Sequence, residues 1–470
     1  MLLIWFLACT RKGLAADFYP DDLMNLNRAL LELRGLRGFF APVWPYTSIF
    51  RPVGALYYKA VYLAFGPAPL AFRSVTYSFM ALNVTLAWLL GRRLSGSAEV
   101  GFLAAMLWAY HHRLVDIYFN NGTVYDVLCF TFYAAALVCY VAVRRQGRDL
   151  SWRRIAAILL LFILALNAKE TAATLPIVLA VWELIYMAKA QPWRLKGVVS
   201  AVAVMLVLSA IACLVKAGPH SSLYGNPDYQ QRLSAAVYLR NMGAWLDDLT
   251  LRPYGFFTPV KTIVLLGAAA ALPAIVRKRA AWMGYVLALI TPLPVTFINP
   301  RGFYAVYIAY FGWTLLAASC IVSARDWLLT RTATARLRNT APAVTAVLLA
   351  TIFLLWQKHD VYRYPSFRAE PERERIRLTL AELKAAHVCP PPGGRVLFLR
   401  DRWPANEYGA IFATRLVCRD PDLSVDLGWR LAADHRPVNF SDYDFVIDYR
   451  DGRMVVHRGS DRKSSDPSTR

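Results

Sequence analysis

The residues of this chain that could carry out chemistry are acids and cations near the ends of apolar runs. Asp21 and Asp22 stand side by side after a short apolar start. Adjacent carboxylates repel, so one can keep its proton near neutral pH and act as a general base, while the other orients a group or ligates a metal. Alternatively, both cap the amphipathic helix that starts at Pro20, where Asp is favoured. The local sequence leaves both interpretations open.

Further polar candidates follow at the ends of later apolar runs. Lys169 and Glu170 interrupt an apolar stretch, where ionisable residues are costly and commonly functional. A short interfacial turn between two spans is the alternative, and a lone cation such as Arg301 is equally well explained as a membrane-surface anchor. The other candidates are Arg51, His111, His112, Asp116, Asp126, Tyr304 and Tyr307.

An acid pair, several fixed cations and many aromatic rings fit the transfer of a sugar from a lipid phosphate to a hydroxyl group. A carboxylate would take the hydroxyl proton, and lysine and arginine would neutralise the departing phosphate. The chain contains no GxGxxG after a strand, no GxxxxGK[ST] and no HExxH, so these nucleotide and zinc motifs do not explain the polar residues. No metal ligand set is predicted, and a divalent cation is left open.

The elements that must position these residues are membrane helices. Hydrophobic residues make up 57% of the 470 residues and charged residues only 18%, whereas about a quarter is usual in globular proteins. The deficit comes from apolar runs of about 20 residues, the length that crosses a bilayer. With a first helix in residues 1–10 that is too short to span, and that we interpret as truncated, eleven helices are expected. The other ten are 70–91, 99–117, 122–143, 154–168, 171–189, 198–216, 256–276, 281–298, 302–322 and 341–357.

Positive charge predicts the orientation of these helices. The net charge of +22 would suggest nucleic acid in a soluble protein, but here it lies in short loops on alternate connections, which is the positive-inside pattern of a membrane protein. The opposite, outer side then receives the long loops 11–69 and 217–255, the candidate residues and the chain after 358. The five basic loops contain Arg92/Arg93, Arg144–Arg154, Lys189–Lys196, Arg277–Arg279 and Arg325–Arg338.

The C-terminal region reads as a small soluble α/β domain. We divide the chain into a transmembrane domain (1–357), a linker with an amphipathic helix (358–394), the α/β domain (395–458) and a disordered tail (459–470). Strands are predicted at 395–399, 444–449 and 453–457. Cys389 and Cys418 share this outer compartment and are expected either to form a disulfide or to remain two free thiols.

One stretch resembles a known family. The segment from "HHRLVDIYFNNGTVYD" to "NAKETAATLPIVLAVWELIY" resembles the GT-C glycosyltransferases, and looks closest to the protein O-mannosyltransferase-like branch and its bacterial relatives. "FYPDD", "FRPV" with Arg51 and "PRGFYAVYIAYFGW" with Arg301 and Tyr304 look like further family segments. The family positions in the long stretch fall on His112, Asp116, Asp126, Lys169, Glu170, Pro176 and Glu183.

The resemblance implies an α-helical, GT-C-like membrane enzyme that uses a polyprenyl-phosphate sugar on the outer face. It implies that Asp21 or Asp22 is the base and that Lys169, Arg301, Arg51 and His112 face the phosphate, with Asp116, Asp126, Glu170 and Tyr304 in support. We therefore expect a bacterial inner-membrane enzyme with a periplasmic acceptor, a periplasmic C-terminus and no nucleic-acid partner.

Two other classes remain open. A transporter or flippase of envelope lipids would use the same bilayer setting, although its polar groups would be expected at mid-membrane. A non-catalytic scaffold of GT-C descent is the other, because His112-Arg113 replaces the family's His-Pro and Ala168 replaces the serine before Lys169.

Overall fold

The chain is a mostly helical, polytopic membrane protein with a small C-terminal α/β domain, as predicted. The computed structural model describes residues 1–44, 49–187, 196–217, 227–332, 335–363, 370–404 and 407–458. Lys189 and Arg194 of the third basic loop and the predicted disordered tail 459–470 lie outside the described residues, as does part of the loop 217–255.

Seventeen helices precede the C-terminal region of the described chain. They are α1 (Leu2–Thr10), α2 (Pro20–Glu32), α3 (Gly35–Phe40), α4 (Pro52–Phe65), α5 (Pro69–Ser95), α6 (Ala98–Trp108), α7 (Val115–Phe119), α8 (Val124–Arg144), α9 (Trp152–Ala168), α10 (Leu175–Met187), α11 (Lys196–Ala217), α12 (Ala235–Leu249), α13 (Pro259–Val276), α14 (Arg279–Ile290), α15 (Leu293–Thr296), α16 (Tyr307–Thr332) and α17 (Ala335–Arg363).

Seven helical segments in the described residues are long and apolar enough to cross a membrane, against the eleven helices expected. The other four predicted spans are present as shorter elements: α1, α6 and α9 have 9, 11 and 17 residues, and the span 281–298 is divided between α14 and α15. The seven segments are Pro69–Ser95, Asn121–Arg144, Glu170–Met187, Gly197–Val215, Pro259–Val276, Phe303–Thr330 and Arg338–Lys358.

Small residues allow two of the central helices to pack closely. A Cβ atom added to Gly284 on α14 would lie 2.7 Å from the carbonyl oxygen of Gly312 on α16, and one added to Gly312 would lie 2.5 Å from the backbone nitrogen of Ala288. Such contact between backbones is typical of membrane helices, whose association depends on close packing rather than on burial from water.

Helix α2 is amphipathic and carries the acid pair in its first turn. Pro20 occupies its first position, where the missing N–H costs nothing and the fixed φ suits a helix. Its buried face includes Leu23 and Leu26, and it packs on α4. The acid pair is therefore held on a short helix outside the spanning segments.

The C-terminal domain contains helices α18 (Glu370–Ala385), α19 (Gly409–Val417) and α20 (Gly428–Ala433) and four strands. The strands β1 (Arg395–Arg400), β2 (Ser424–Leu427), β3 (Phe445–Arg450) and β4 (Arg453–Arg458) form one sheet in the order β2-β1-β3-β4. Pairs β1–β2 and β1–β3 are parallel, whereas β3–β4 is antiparallel. Strand β2 was not predicted, because "SVDL" is short and follows a turn-forming "DPD". A disulfide joins Cys389 and Cys418.

The C-terminal domain lies against the helices of the first long loop. The Tyr62 hydroxyl on α4 donates to the Leu416 carbonyl at 2.9 Å, and Arg34 pairs with Asp422 at 2.8 Å. Arg377 on α18 lies 3.8 Å from Asp17. The domain and the loop 11–69 are thus on the same face of the helical bundle.

Candidate functional site

The two adjacent acids have different environments. Asp22 is 1% exposed, and its carboxylate accepts hydrogen bonds from the Tyr19 backbone N–H at 2.8 Å and the Tyr58 hydroxyl at 3.0 Å. Burial raises its pKa to about 6, although Arg73 and these donors oppose the shift. Asp22 thus caps α2 and fixes the entry to that helix.

Asp21 points away from this hydrogen-bonded pocket and is exposed to solvent. Partial desolvation by the surrounding protein raises its pKa, and the negative charge of Glu372 raises it further, whereas the Asn120 side chain and Arg301 lower it. Gly122 lets the carboxylate approach, because a Cβ at that position would lie 2.8 Å from the Asp21 Cβ. An accessible carboxylate with a raised pKa has the properties of a general base.

A second acid and a tyrosine adjoin Asp21. Asp116 is half-buried, and its pKa is raised by desolvation and by the charge of Asp21, while Arg373 lowers it. The hydroxyl of Tyr19 has a raised pKa because of its burial, a hydrogen bond to Glu372 and the charges of both acids. Glu372 and Arg373 are on α18, so the C-terminal domain contributes directly to this site.

Lys169 pairs with Asp126 in the interior. Both side chains are about 95% buried, and the ammonium donates to the Asp126 carboxylate. The Lys169 ammonium also lies 5.4 Å from the centre of the Tyr304 ring. The structure thus joins three of the predicted site residues, but with the cation already neutralised by an acid.

Arg51 is likewise paired with a carboxylate. Its guanidinium donates two hydrogen bonds to Glu170, at 3.0 and 3.3 Å, and its carbon lies 4.6 and 5.1 Å from the ring centres of Phe50 and Tyr125. Planar guanidinium groups suit such two-pronged and stacked contacts. Arg51 is therefore held rigidly beside the Lys169 pair.

Arg301 differs from these two cations, because no carboxylate lies within ion-pair distance of it in the described part of the chain. Its guanidinium donates to the Asp228 carbonyl at 3.0 Å and stacks on Tyr229 at 4.6 Å. Its positive charge lowers the pKa of Asp21. A half-exposed arginine without an acid partner is suited to bind an incoming anion.

The structure brings several of the predicted residues together. Asp116 comes within 3.7 Å of the position that a Cβ on Gly302 would take, so it lies beside the Arg301–Tyr304 segment. His112 lies on a short 3₁₀ turn, and its backbone N–H donates to the Gln357 side chain in α17. That contact joins the His111–His112 segment to α17.

Four residues of the site were not predicted from the sequence. Asn120 follows an apolar run without any feature of its own, and Glu372 and Arg373 fall in the amphipathic helix predicted in the linker. Arg73 did offer a signal, because it is an isolated cation at the start of an apolar span. The other three become recognisable only when α18 and α7 are placed next to α2.

No cluster of three or more His, Cys, Asp or Glu side chains that could hold a metal ion occurs among the residues described. The remaining arrangement is one of carboxylates, cations and aromatic rings at one end of the helical bundle.

The chain is similar to solved membrane-protein structures over nearly its whole length. ArnT from Cupriavidus metallidurans in the apo state is 14% identical, with 97% of this chain and 95% of that chain covered and a TM-score of 0.45. ArnT from the same organism bound to undecaprenyl phosphate is 13% identical, with 97% of this chain and 96% of that chain covered and a TM-score of 0.44. The Archaeoglobus fulgidus oligosaccharyltransferase, in complex with Zn and sulfate, is 12% identical, with 95% of this chain and 67% of that chain covered and a TM-score of 0.44.

No protein-family model matches the chain, and no curated protein sequence does. Since these three TM-scores are below 0.5, the function has to be argued from the geometry of the site itself.

Proposed function

We propose that this protein is a membrane glycosyltransferase that moves a sugar from a polyprenyl-phosphate donor to a hydroxyl-bearing acceptor on the outer face of a bacterial inner membrane. The observation that carries the proposal is the presence at one end of the bundle of both Asp21, an accessible carboxylate with a raised pKa, and Arg301, a cation without an acid partner in the described chain. A base and an unpaired cation in one site are what proton removal and phosphate departure require together.

In the proposed reaction Asp21 removes the proton of the acceptor hydroxyl. The oxygen forms a bond to the anomeric carbon of the sugar, and the bond from that carbon to the phosphate oxygen breaks. The electron pair leaves with the polyprenyl phosphate, and the proton stays on Asp21 until water removes it. Arg301 stabilises the growing negative charge on the phosphate.

Lys169 and Arg51 would support the site without binding the phosphate directly. Each is held by a carboxylate, Asp126 or Glu170, so its charge is partly cancelled before a substrate arrives. Their proposed role is to keep the region beside Tyr304 rigid and close to neutral, so that a phosphate can enter without meeting uncompensated acids. The lipid tail would lie among the apolar helices, which accounts for the embedding of the enzyme.

The proposal is tested with purified full-length protein in lipid nanodiscs. A polyprenyl-phosphate hexose with a labelled sugar is supplied together with an envelope extract as the source of acceptors, and release of polyprenyl phosphate is measured. Asp21→Asn is expected to lower kcat about 10²–10⁴-fold, the usual contribution of a general base. Asp17→Asn, in the same loop, is the matched control and should retain activity.

The variant Asp22→Asn distinguishes the structural role of one acid from the catalytic role of the other. Since Asp22 caps α2, its replacement should lower the melting temperature and affect kcat far less than Asp21→Asn does. The opposite pattern would make Asp22 the base. Full activity of the Asp21→Asn/Asp22→Asn double variant would end the assignment, and movement of the lipid across a vesicle membrane without sugar transfer would replace it with a flippase.

A further inference from the structure

Arg373 on α18 is a buried cation without a polar partner. Only 9% of the residue is exposed, and its Nε atom is buried without a hydrogen-bond acceptor. Within the described residues its guanidinium makes no hydrogen bond and no ion pair; it stacks on the Phe119 ring at 5.6 Å. Burying an arginine in this way is costly unless an anion completes the site.

A second guanidinium contacts the backbone of Phe119. Arg73 is 1% exposed, donates one Nη2 hydrogen to the Phe119 carbonyl, and has a buried Nη1 without an acceptor. Both guanidinium groups thus contact Phe119, one at its ring and the other at its carbonyl. Two nearby buried cations with unfilled donors have the composition of a phosphate or carboxylate site.

The position of Arg373 relative to the proposed base identifies which substrate it would meet. Arg373 lies over the ring of Phe119 on α7, whereas Arg301 lies over the ring of Tyr229 in the long loop 217–255. The two cations are therefore held by different parts of the chain. If Arg301 receives the donor phosphate, Arg373 is placed for a different anionic group.

We propose that Arg373, with Arg73 behind it, binds an anionic group of the acceptor, so that the acceptor is a phosphorylated or carboxylated hydroxyl compound held against the C-terminal domain. The assignment of the anion to the acceptor rests on the proposed function. The existence of the anion site does not depend on it. The C-terminal domain is then part of the substrate site, because its helix α18 carries Arg373, the residue that binds the anion.

The test uses the full-length protein in nanodiscs, with inorganic phosphate as the probe and chloride at equal ionic strength as the reference. Phosphate binding is followed by thermal unfolding, first alone and then with saturating polyprenyl phosphate, which would occupy the donor site. The wild-type protein is expected to bind phosphate in both conditions. Arg373→Gln should raise the apparent dissociation constant in the second condition at least about tenfold, as expected for a lost charged hydrogen bond.

Two variants control for structural effects. Arg377→Gln removes the same charge one turn further along α18, where the side chain is exposed and paired with Glu374, and should bind phosphate like the wild type. Arg373→Lys keeps the charge but loses the planar fork, and should bind phosphate with intermediate affinity even if Arg373→Gln does not fold.

The outcomes distinguish the two proposals. If the wild type with polyprenyl phosphate bound takes up no phosphate, or if Arg373→Gln and Arg373→Lys bind it normally, the anion site is wrong. If Arg373→Gln instead weakens polyprenyl phosphate binding, the site belongs to the donor and the acceptor assignment is overturned. If the wild type binds phosphate through Arg373 but does not bind polyprenyl phosphate, the proposed function fails while the anion site stands.

Discussion

Two groups of cations at the same end of this protein differ in what neutralises them. Lys169 and Arg51 each contact a carboxylate from another part of the chain, Asp126 or Glu170. Arg301 and Arg373 stack on aromatic rings, and neither has an acid within ion-pair distance among the described residues. The first group is complete without a substrate, whereas the second is not.

This difference teaches which cations hold the fold and which await a ligand. A buried charge that loses its partner is strongly destabilising, so the paired cations should matter for folding. Removing a cation that has no acid partner leaves no carboxylate uncompensated, and its effect should be seen mainly in binding and catalysis. Three measurements follow, from the largest expected effect to the smallest. The first two test this division, and the third tests the acids at the same end of the protein.

The largest effect is expected from Lys169→Met. This change leaves the buried Asp126 carboxylate without its cation and should destabilise the protein by about 3–5 kcal/mol. Thermal unfolding in nanodiscs would measure the loss. The double variant Lys169→Met/Asp126→Asn removes the stranded charge and should recover much of the stability; a double variant no more stable than the single one would contradict the pairing.

Arg301→Gln should have a smaller effect, and of a different kind. The free energy of unfolding of this variant should change by no more than about 0.5 kcal/mol, as for a surface substitution, because no acid loses an ion-pair partner. Transfer from polyprenyl-phosphate sugar should fall about 100-fold or more, as when one group that stabilises charge in the transition state is removed. Arg232→Gln, at an exposed position whose backbone N–H donates to the Phe297 carbonyl, is the control. Equal losses of activity in both variants would argue against the phosphate role.

The smallest effect concerns pH. Asp21 is active as the carboxylate, so kcat/KM should fall as pH falls through its pKa. Glu372 raises that pKa, and Glu372→Gln should therefore lower it and move the acid limb of the kcat/KM profile to lower pH. The shift should be less than about one pH unit, since a full unit would require Glu372 to destabilise the Asp21 carboxylate by about 1.4 kcal/mol. Glu374→Gln on the same helix should leave the limb in place, and an upward shift in Glu372→Gln would be opposite in sign to the expectation.

The fold class could be predicted from the sequence because it depends on local composition. Apolar runs of membrane length and the distribution of arginine are visible without any contact map, as are the strands at 395–399, 444–449 and 453–457. Helix ends were less predictable. The span expected at 99–117 ends as a regular helix at Trp108, where the chain turns through the His111–His112 segment.

The candidate site was only partly predictable. The residue types at Asp21, Lys169 and Arg301 indicate the chemistry, and their expected location at one end of the bundle follows from topology. The sequence could not tell Asp21 from Asp22, because adjacent residues share the same local pattern. Only the approach of Tyr58, on α4, makes one a buried cap and leaves the other accessible.

The sequence by itself thus determined that the protein crosses a membrane, that its polar groups gather at helix ends and that a small α/β domain follows. The tertiary structure decided which cations are neutralised, because ion pairs such as Arg51–Glu170 join positions more than a hundred residues apart. It also decided that Glu372 and Arg373 face the acid cluster rather than water. Both outcomes depend on how separate helices pack, and no local pattern of residues specifies that packing.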